Sequence, residues 1–388
     1  MARILLLTHI YPPAIDGGSR VISKIGKYLS KQNHQILIVT SDCRSTDDFT
    51  RRHSLIFHAQ PHILRLPVYT FLHRPLKLMS TTLSKGPIFK LISFLKALRS
   101  IICFSPDLII AGPLPTTIIL YANLIRFITK ALTHQSTKLL INASFHPTDP
   151  DFNKPSLLKV LKSADYIWTL TKYETDYFQN QLNIPKQKLL LLGNGVDNNF
   201  LQKKAKKISL KTTNLLFVGS FAAHKGLDTL INAFALLPPS ITLTLAGQPT
   251  LYFPAIKKQI NSLPAGIKKR IKIIQSFPSA HLSRLIDISS ILILPSRQES
   301  FGLVLIEALA RKTPIITADI PQLFELISKT NGGLTFKRNS PGDLAKQIQK
   351  LISQPQLSKT LGQNGFNYVS KHYTWDKIGK DLCQKLSL

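Results

Sequence analysis

Short apolar runs recur along this chain. Each is closed by glycine, proline or a polar cluster, and most are followed by a stretch with helical spacing. In the N-terminal half the runs fall at 4–8, 36–40, 108–111, 138–143 and 166–171. A run at 189–192 leads into the turn sequence GNGVD, and further runs fall at 215–218, 241–246, 271–274, 291–294 and 315–317. Consecutive apolar residues without polar alternation read as strands covered on both faces, the habit of parallel sheets. Helices are read at about 19–32, 116–132, 172–182, 281–286 and 343–353, and over YTWDKIGKDLCQKL near the end. Strands alternating with helices predict an α/β chain. Its 388 residues suffice for two domains, each with its own core. The stretch 108–125 carries no charge, but Gly112, Pro113 and Pro115 interrupt it. It therefore reads as strand, turn and helix rather than as a membrane span.

One stretch concentrates the chemistry: 295–310, PSRQESFGLVLIEALA. Pro295 ends the run 291–294, and a helix is expected to start near Phe301 or Gly302. Glu299 then lies in the loop before the helix and Glu307 lies inside it. The amides of Phe301, Gly302 and Leu303 are the orphan donors of the first turn, where the helix dipole also favours an anion. A phosphate held there, with a carboxylate on each side to accept from hydroxyls, describes a nucleotide sugar. An ordinary strand–loop–helix with two surface glutamates is the other reading of the same residues. Two further loops resemble phosphate sites. Gly17 and Gly18 follow the first strand and open a helix, though not in the G-x-G-x-x-G spacing that dinucleotide binding requires. Lys225 and Gly226 also precede a helix, and a lysine there can hold a diphosphate as a point charge. Asp149 and Asp151 flank Pro150 and are read as a turn, with no metal site assigned.

The whole string 295–310, with GSFAAHKG at 219–226, Gly17, Gly18 and His146, resembles the retaining glycosyltransferases of family four. The resemblance covers nearly the whole chain. It implies the GT-B fold, two Rossmann-like domains facing a central cleft: 1–192 on the acceptor side, 193–370 binding the nucleotide sugar, and 371–388 as a C-terminal helix packing back on the first domain. It also implies transfer of a hexose from a nucleotide-diphosphate sugar to an acceptor hydroxyl with retention, without metal or other cofactor. Cell-envelope glycan or glycolipid synthesis is the expected setting. His146, Lys225 and Glu299 would be catalytic. Gly17, Gly18, Lys225, Glu299, Phe301, Gly302, Leu303 and Glu307 would bind the sugar donor, with Glu299 on the hexose and Glu307 on the ribose. His146 would position the hexose. No residue stands out as a covalent nucleophile, so attack on the face that the phosphate leaves is expected. The chain departs from the family pattern at Ser220, where an arginine is usual, and at Lys312, where a glycine is usual. A sugar-nucleotide epimerase of the same fold, or a non-catalytic basic protein that binds membrane or nucleic acid, are the alternatives.

Charge adds a further expectation. Fifty Lys and Arg against 20 Asp and Glu give a net charge of +30, which attracts anionic surfaces unless it is a compositional accident. Between positions 49 and 106 there is no acidic residue, while Arg51, Arg52, Arg65, Arg74, Lys77, Lys85, Lys90, Lys96 and Arg99 are mixed with bulky apolar residues. That mixture suits an anionic membrane, with Phe89, Phe94 or Leu95 inserting. A packed amphipathic helix with a solvated basic face is the plainer reading. Nucleic acid is not expected as a partner, because no recognition module is found. Cys43, Cys103 and Cys383 are too scattered for a disulfide framework, and the run after Arg3 is too short for a signal peptide. The expected location is the cytoplasm, peripheral at the inner face of the membrane, with a glycan or lipid-linked acceptor.

Overall fold

The computed structural model describes residues 1–12, 17–43, 62–69, 86–144, 152, 154–202, 213–275, 277 and 281–388. His146, Asp149, Asp151 and much of the acid-free stretch, 49–61 and 70–85, lie outside them. The chain divides into two compact units, one of Met1–Gly193 with Ile378–Leu388, the other of Asn194–Lys377.

The first unit is built on a parallel sheet of β1 (Arg3–Thr8), β2 (Gln35–Ser41), β3 (Ile63–Leu66), β4 (Leu108–Gly112), β5 (Lys138–Asn142), β6 (Tyr166–Thr169) and β7 (Leu189–Leu191). Their spatial order is β3-β2-β1-β4-β5-β6-β7. The central strand β1 pairs in register with both neighbours, Leu5 opposite Leu37 on one side and Ile109 on the other. Ile4, Leu5, Leu6 and Leu7 are all fully buried, which explains a run with no polar alternation. Each such side chain contributes about 1.5–3 kcal/mol relative to exposure. Alternate residues, Leu5, Leu7, Ile109, Ala111, Leu139 and Ile141, share one core with the helices α2 (Leu91–Phe104), α3 (Ile118–Thr133) and α4 (Pro155–Ser163). The helix α1 (Gly17–Lys31) lies against Leu6 of β1, where Gly26 leaves no room for a Cβ. The helix α5 (Lys172–Asn180) is capped by Thr171, whose Oγ1 accepts from the Glu174 amide at 3.1 Å, while the Glu174 carboxylate accepts from the amide of Leu170, the residue before the cap.

The second unit carries α6 (Asn198–Leu201), β8 (Thr213–Val218), α7 (Leu227–Ala235), β9 (Ile241–Gly247), α8 (Phe253–Asn261), α9 (Ala265–Lys268) and β10 (Ile271–Gln275). It continues through α10 (Leu282–Asp287), β11 (Ile291–Leu294), α11 (Leu303–Ala310), β12 (Ile315–Ala318), α12 (Pro321–Thr330), β13 (Gly333–Phe336), α13 (Pro341–Ser353) and α14 (Pro355–His372). Its strands are parallel in the order β10-β9-β8-β11-β12-β13. The last helix, α15 (Trp375–Leu386), enters the first unit at Ile378, and its Gly379 abuts the ring of Tyr28 on α1. The helix expected to cross back does reach the first unit.

Three expectations are corrected. The helix α11 starts at Leu303, not at Phe301 or Gly302, because Gly302 is left-handed with φ 80°. A Cβ at Gly302 would come within 2.8 Å of the Leu305 side chain. The helix α1 starts at Gly17, so the paired glycines form its first turn rather than precede it. Phe89 and Phe94 are buried, with ring centroids 4.8 and 5.0 Å from Tyr121 of α3, and cannot insert into a membrane as they stand. The face of α2 that meets solvent instead carries Leu91, Ile92 and Leu95, which are 60%, 71% and 53% exposed. Among the described residues no helix is long and apolar enough to cross a membrane.

Candidate active site

Open parallel sheets bind ligands outside the carboxyl ends of their strands, where the strand order reverses. In the second unit the order reverses between β8 and β11. The chain leaving β8 runs through Gly219 and Ser220 to a single 3₁₀ turn, Ala223–Lys225, and Gly226 then opens α7. The chain leaving β11 runs through Pro295, Ser296 and Glu299 to α11. These two loops touch. Gly226 has φ 68°, and a Cβ there would collide with the carbonyl of Pro295. Glycine thus lets the two loops close over the switch point.

Contact between the loops brings the predicted lysine and glutamate together. Lys225 Nζ donates to Glu299 Oε2 at 2.6 Å, and the two side chains are only 16% and 11% exposed. Ser296 Oγ donates to the same carboxylate oxygen at 3.5 Å. Glu299 is in the loop and Glu307 in the second turn of α11, the division expected from the sequence. Glu307 is buried, 2% exposed. Phe301 is buried edge-on against Tyr373, centroids 5.4 Å apart, and anchors the loop before α11. Burial raises the phenol of Tyr373 above its ordinary pKa, with Tyr368 and Glu325 adding to the shift, so it stays neutral. The first-turn amides of α11, beginning at Leu303, follow Gly302 at partly exposed positions.

The structure therefore groups Lys225 and Glu299 directly, with Phe301, Gly302, Leu303 and Glu307 on the loop and helix that continue from Glu299. Gly17 and Gly18 belong to the other unit, at the start of α1. Gly18 lies against the ring of Pro113, just past β4, while nothing lies within 4 Å of a Cβ at Gly17. This is the switch point of the first sheet, between β1 and β4. His146 lies outside the described residues.

One residue of the loop pair, Arg297, was not assigned from the sequence. Arg297 is directed at the lysine turn: Nη1 donates to the Ala223 carbonyl at 2.7 Å and Nη2 to Asp228 Oδ2 at 2.6 Å, while Nε donates to Asn339 Oδ1 at 2.7 Å. Arg297 thus does not stand in for the arginine missing at Ser220. Its place in PSRQE was visible, but its direction depends on partners about 70 and 40 positions away. Lys312, the second departure from the family pattern, does take the left-handed conformation, φ 56°, and its ammonium lies 4.7 Å over the ring of Phe366.

A cation and a carboxylate held over strand ends, beside a helix start, can meet an anion on one side and hydroxyls on the other. The model of Glycosyltransferase Family 4 matches residues 15–200, and that of Glycosyl transferases group 1 matches residues 198–368. An uncharacterized glycosyltransferase of Methanocaldococcus jannaschii is 32% identical over 216 residues, 55% of this chain and 57% of its own length. A D-inositol 3-phosphate glycosyltransferase of Jonesia denitrificans is 28% identical over 193 residues, 47% of this chain and 45% of its own. The chain spans about half the length of these curated relatives. Among solved structures, HepE of Anabaena in complex with UDP-glucose shares the fold with a TM-score of 0.77 at 18% identity, covering 100% of both chains. With GT-B architecture throughout and a matching model over each half, the chain belongs to the glycosyl transferases group 1, family four.

Proposed function

We propose that this chain is a retaining glycosyltransferase that moves a hexose from a nucleotide-diphosphate sugar, a UDP-hexose first among them, to an acceptor hydroxyl. The observation that carries this reading is the Lys225–Glu299 pair at 2.6 Å over the β8/β11 switch point, next to the start of α11. The bound UDP-glucose of the HepE structure supports the choice of base. Lys225 neutralises the diphosphate, whose charge grows as the glycosidic bond breaks, and preorganised groups of this kind are a large source of rate. Glu299 accepts from hexose hydroxyls and Glu307 from the ribose. Gly17 and Gly18 let the backbone at the start of α1 approach the phosphates, and His146 orients the hexose. The acceptor oxygen attacks the anomeric carbon on the face that the phosphate leaves. The carbon–oxygen bond to the diphosphate breaks, and the departing phosphate takes the acceptor's proton. The test is transfer of radiolabelled glucose from UDP-glucose to an envelope lipid extract. Labelled product supports transfer. Release of free sugar and UDP without any product points to the epimerase class.

The acceptor is proposed to be membrane-borne. The support is the solvent face of α2, where Leu91, Ile92 and Leu95 stand among exposed Lys90, Lys96 and Arg99. On the adjoining α3, Leu124 and Phe127 are 44% and 71% exposed, with Lys130 beside them. Each cation at an anionic surface contributes about 1 kcal/mol. Vesicle co-sedimentation with and without phosphatidylglycerol tests this. Binding that needs the anionic lipid and persists in part at 1 M salt, where screening is about 3 Å, supports it. Equal, negligible binding to both vesicle types favours a soluble acceptor.

A further inference from the structure

Arg297 makes an unusual set of contacts for a loop residue. Its guanidinium reaches the 3₁₀ turn through the Ala223 carbonyl at 2.7 Å, and the start of α7 through Asp228 Oδ2 at 2.6 Å and Thr229 Oγ1 at 3.5 Å. It reaches the loop after β13 through Asn339 Oδ1 at 2.7 Å, and its own amide donates to the His224 carbonyl at 2.7 Å. Two of these acceptors lie on either side of Lys225 in the chain, and Arg297 itself stands two positions before Glu299. The side chain is 29% exposed, and Asp228 is 32% exposed. A planar fork with fixed donor directions can hold three separate segments at once, which a lysine cannot.

We infer that Arg297 is a positioning residue for the transfer: it holds the Lys225 turn at the distance from the Glu299 loop that lets one lysine serve the diphosphate. This rests on the donor reading above. The need for it follows from Ser220. Where an arginine would share the load, this chain has a hydroxyl, so the geometry of Lys225 matters more. The guanidinium does not touch the nucleotide in this account. Its directions are taken by Ala223, Asp228, Thr229 and Asn339. Its effect on the nucleotide must therefore pass through Lys225.

That route makes the inference testable by a double-mutant cycle on UDP affinity, measured by calorimetry for the wild type, Arg297→Gln, Lys225→Met and the double variant. Arg297→Gln is expected to weaken UDP by roughly 10-fold in the wild-type background and by less than about 2-fold when Lys225 is already methionine. Arg297→Lys keeps the charge, loses the fork, and is expected to behave like Arg297→Gln. It replaces that variant in the cycle if glutamine prevents folding. Full additivity, with the same loss in both backgrounds, would overturn the inference and indicate a direct contact or a general structural role. UDP affinity unchanged in both Arg297 variants would overturn it as well. A wild-type protein that binds neither UDP nor any nucleotide sugar removes the donor reading itself, and the inference with it.

Discussion

The ion pair between Lys225 and Glu299 leads to opposite expectations for its two members. Without nucleotide, the lysine is held by the carboxylate at 2.6 Å with both side chains largely shielded from water. At an effective dielectric of about 20, two charges 4 Å apart attract by about 4 kcal/mol, of which desolvation leaves a fraction. In the proposed reading, a diphosphate entering the site would compete with Glu299 for the ammonium. Lys225→Met removes a charge-assisted hydrogen bond of about 1.5–3 kcal/mol to the phosphate, so UDP should weaken by roughly 10–150-fold. Glu299→Gln removes only the competitor. UDP should then bind as well as to the wild type, or more tightly, while UDP-glucose loses the hexose contact and with it any advantage over UDP. Isothermal titration calorimetry of both ligands against both variants measures this directly. If Glu299→Gln weakened UDP as much as Lys225→Met does, the division of roles would be refuted, and the pair would be a structural clasp between two loops.

Other expectations concern stability, tuning and cofactor. Arg311 donates to both oxygens of Asp287 and to the carbonyls of Gln202 and Phe200, at 2.7 and 3.4 Å for the carbonyls, and is 5% exposed. Arg311→Leu should cost about 3–5 kcal/mol, because it strands a shielded carboxylate, and melting should fall by roughly 2–4 °C per kcal/mol. Adding Asp287→Leu should recover most of that loss. Ser220→Arg, which restores the family's usual cation, should tighten UDP by about 1–2 kcal/mol in calorimetry. Transfer should proceed unchanged in EDTA if, as proposed, Lys225 and the α11 dipole meet the leaving-group charge. Loss in EDTA with recovery on adding magnesium or manganese would return Asp149 and Asp151 to consideration.

The sheets were legible because their strands are buried on both faces. The run 291–294 becomes β11 at the same bounds, and Ile291, Leu292, Ile293 and Leu294 are 1% exposed or less. The helix α14 escaped notice because its sequence lacks an apolar stripe. It packs through glycine, Gly362 against the Lys312 carbonyl and Gly365 against Leu309, so close backbone approach replaces large side chains. The opposite difficulty arose at α2, which carries apolar residues all round. Periodicity could not say that Phe94 and Leu98 face inward while Leu91, Ile92 and Leu95 face outward. In the site, residue types and spacing placed Lys225 before α7, Glu299 in the loop and Glu307 within α11, while the roles proposed for them came with the family resemblance. Arg297 and Gly226 were not legible as a clasp, since the contacts that define them join separate loops. The start of α11 at Leu303 likewise depends on the left-handed Gly302 fitting beside Leu305 and Leu323.

The most direct test of the central claim is a thermal-shift titration of the wild type and Lys225→Met against a panel of UDP- and GDP-sugars. At least one nucleotide sugar should raise the melting temperature of the wild type. A ligand present at 100 times its dissociation constant adds about 2.7 kcal/mol, or roughly 5–10 °C for a unit of this size. With affinity weakened roughly 10–150-fold, the same ligand concentration should add only about 0.3–1.4 kcal/mol to Lys225→Met, so its shift should fall to about half that of the wild type or less. A panel in which no member stabilises the wild type, or one in which the shift survives intact in Lys225→Met, would contradict the account.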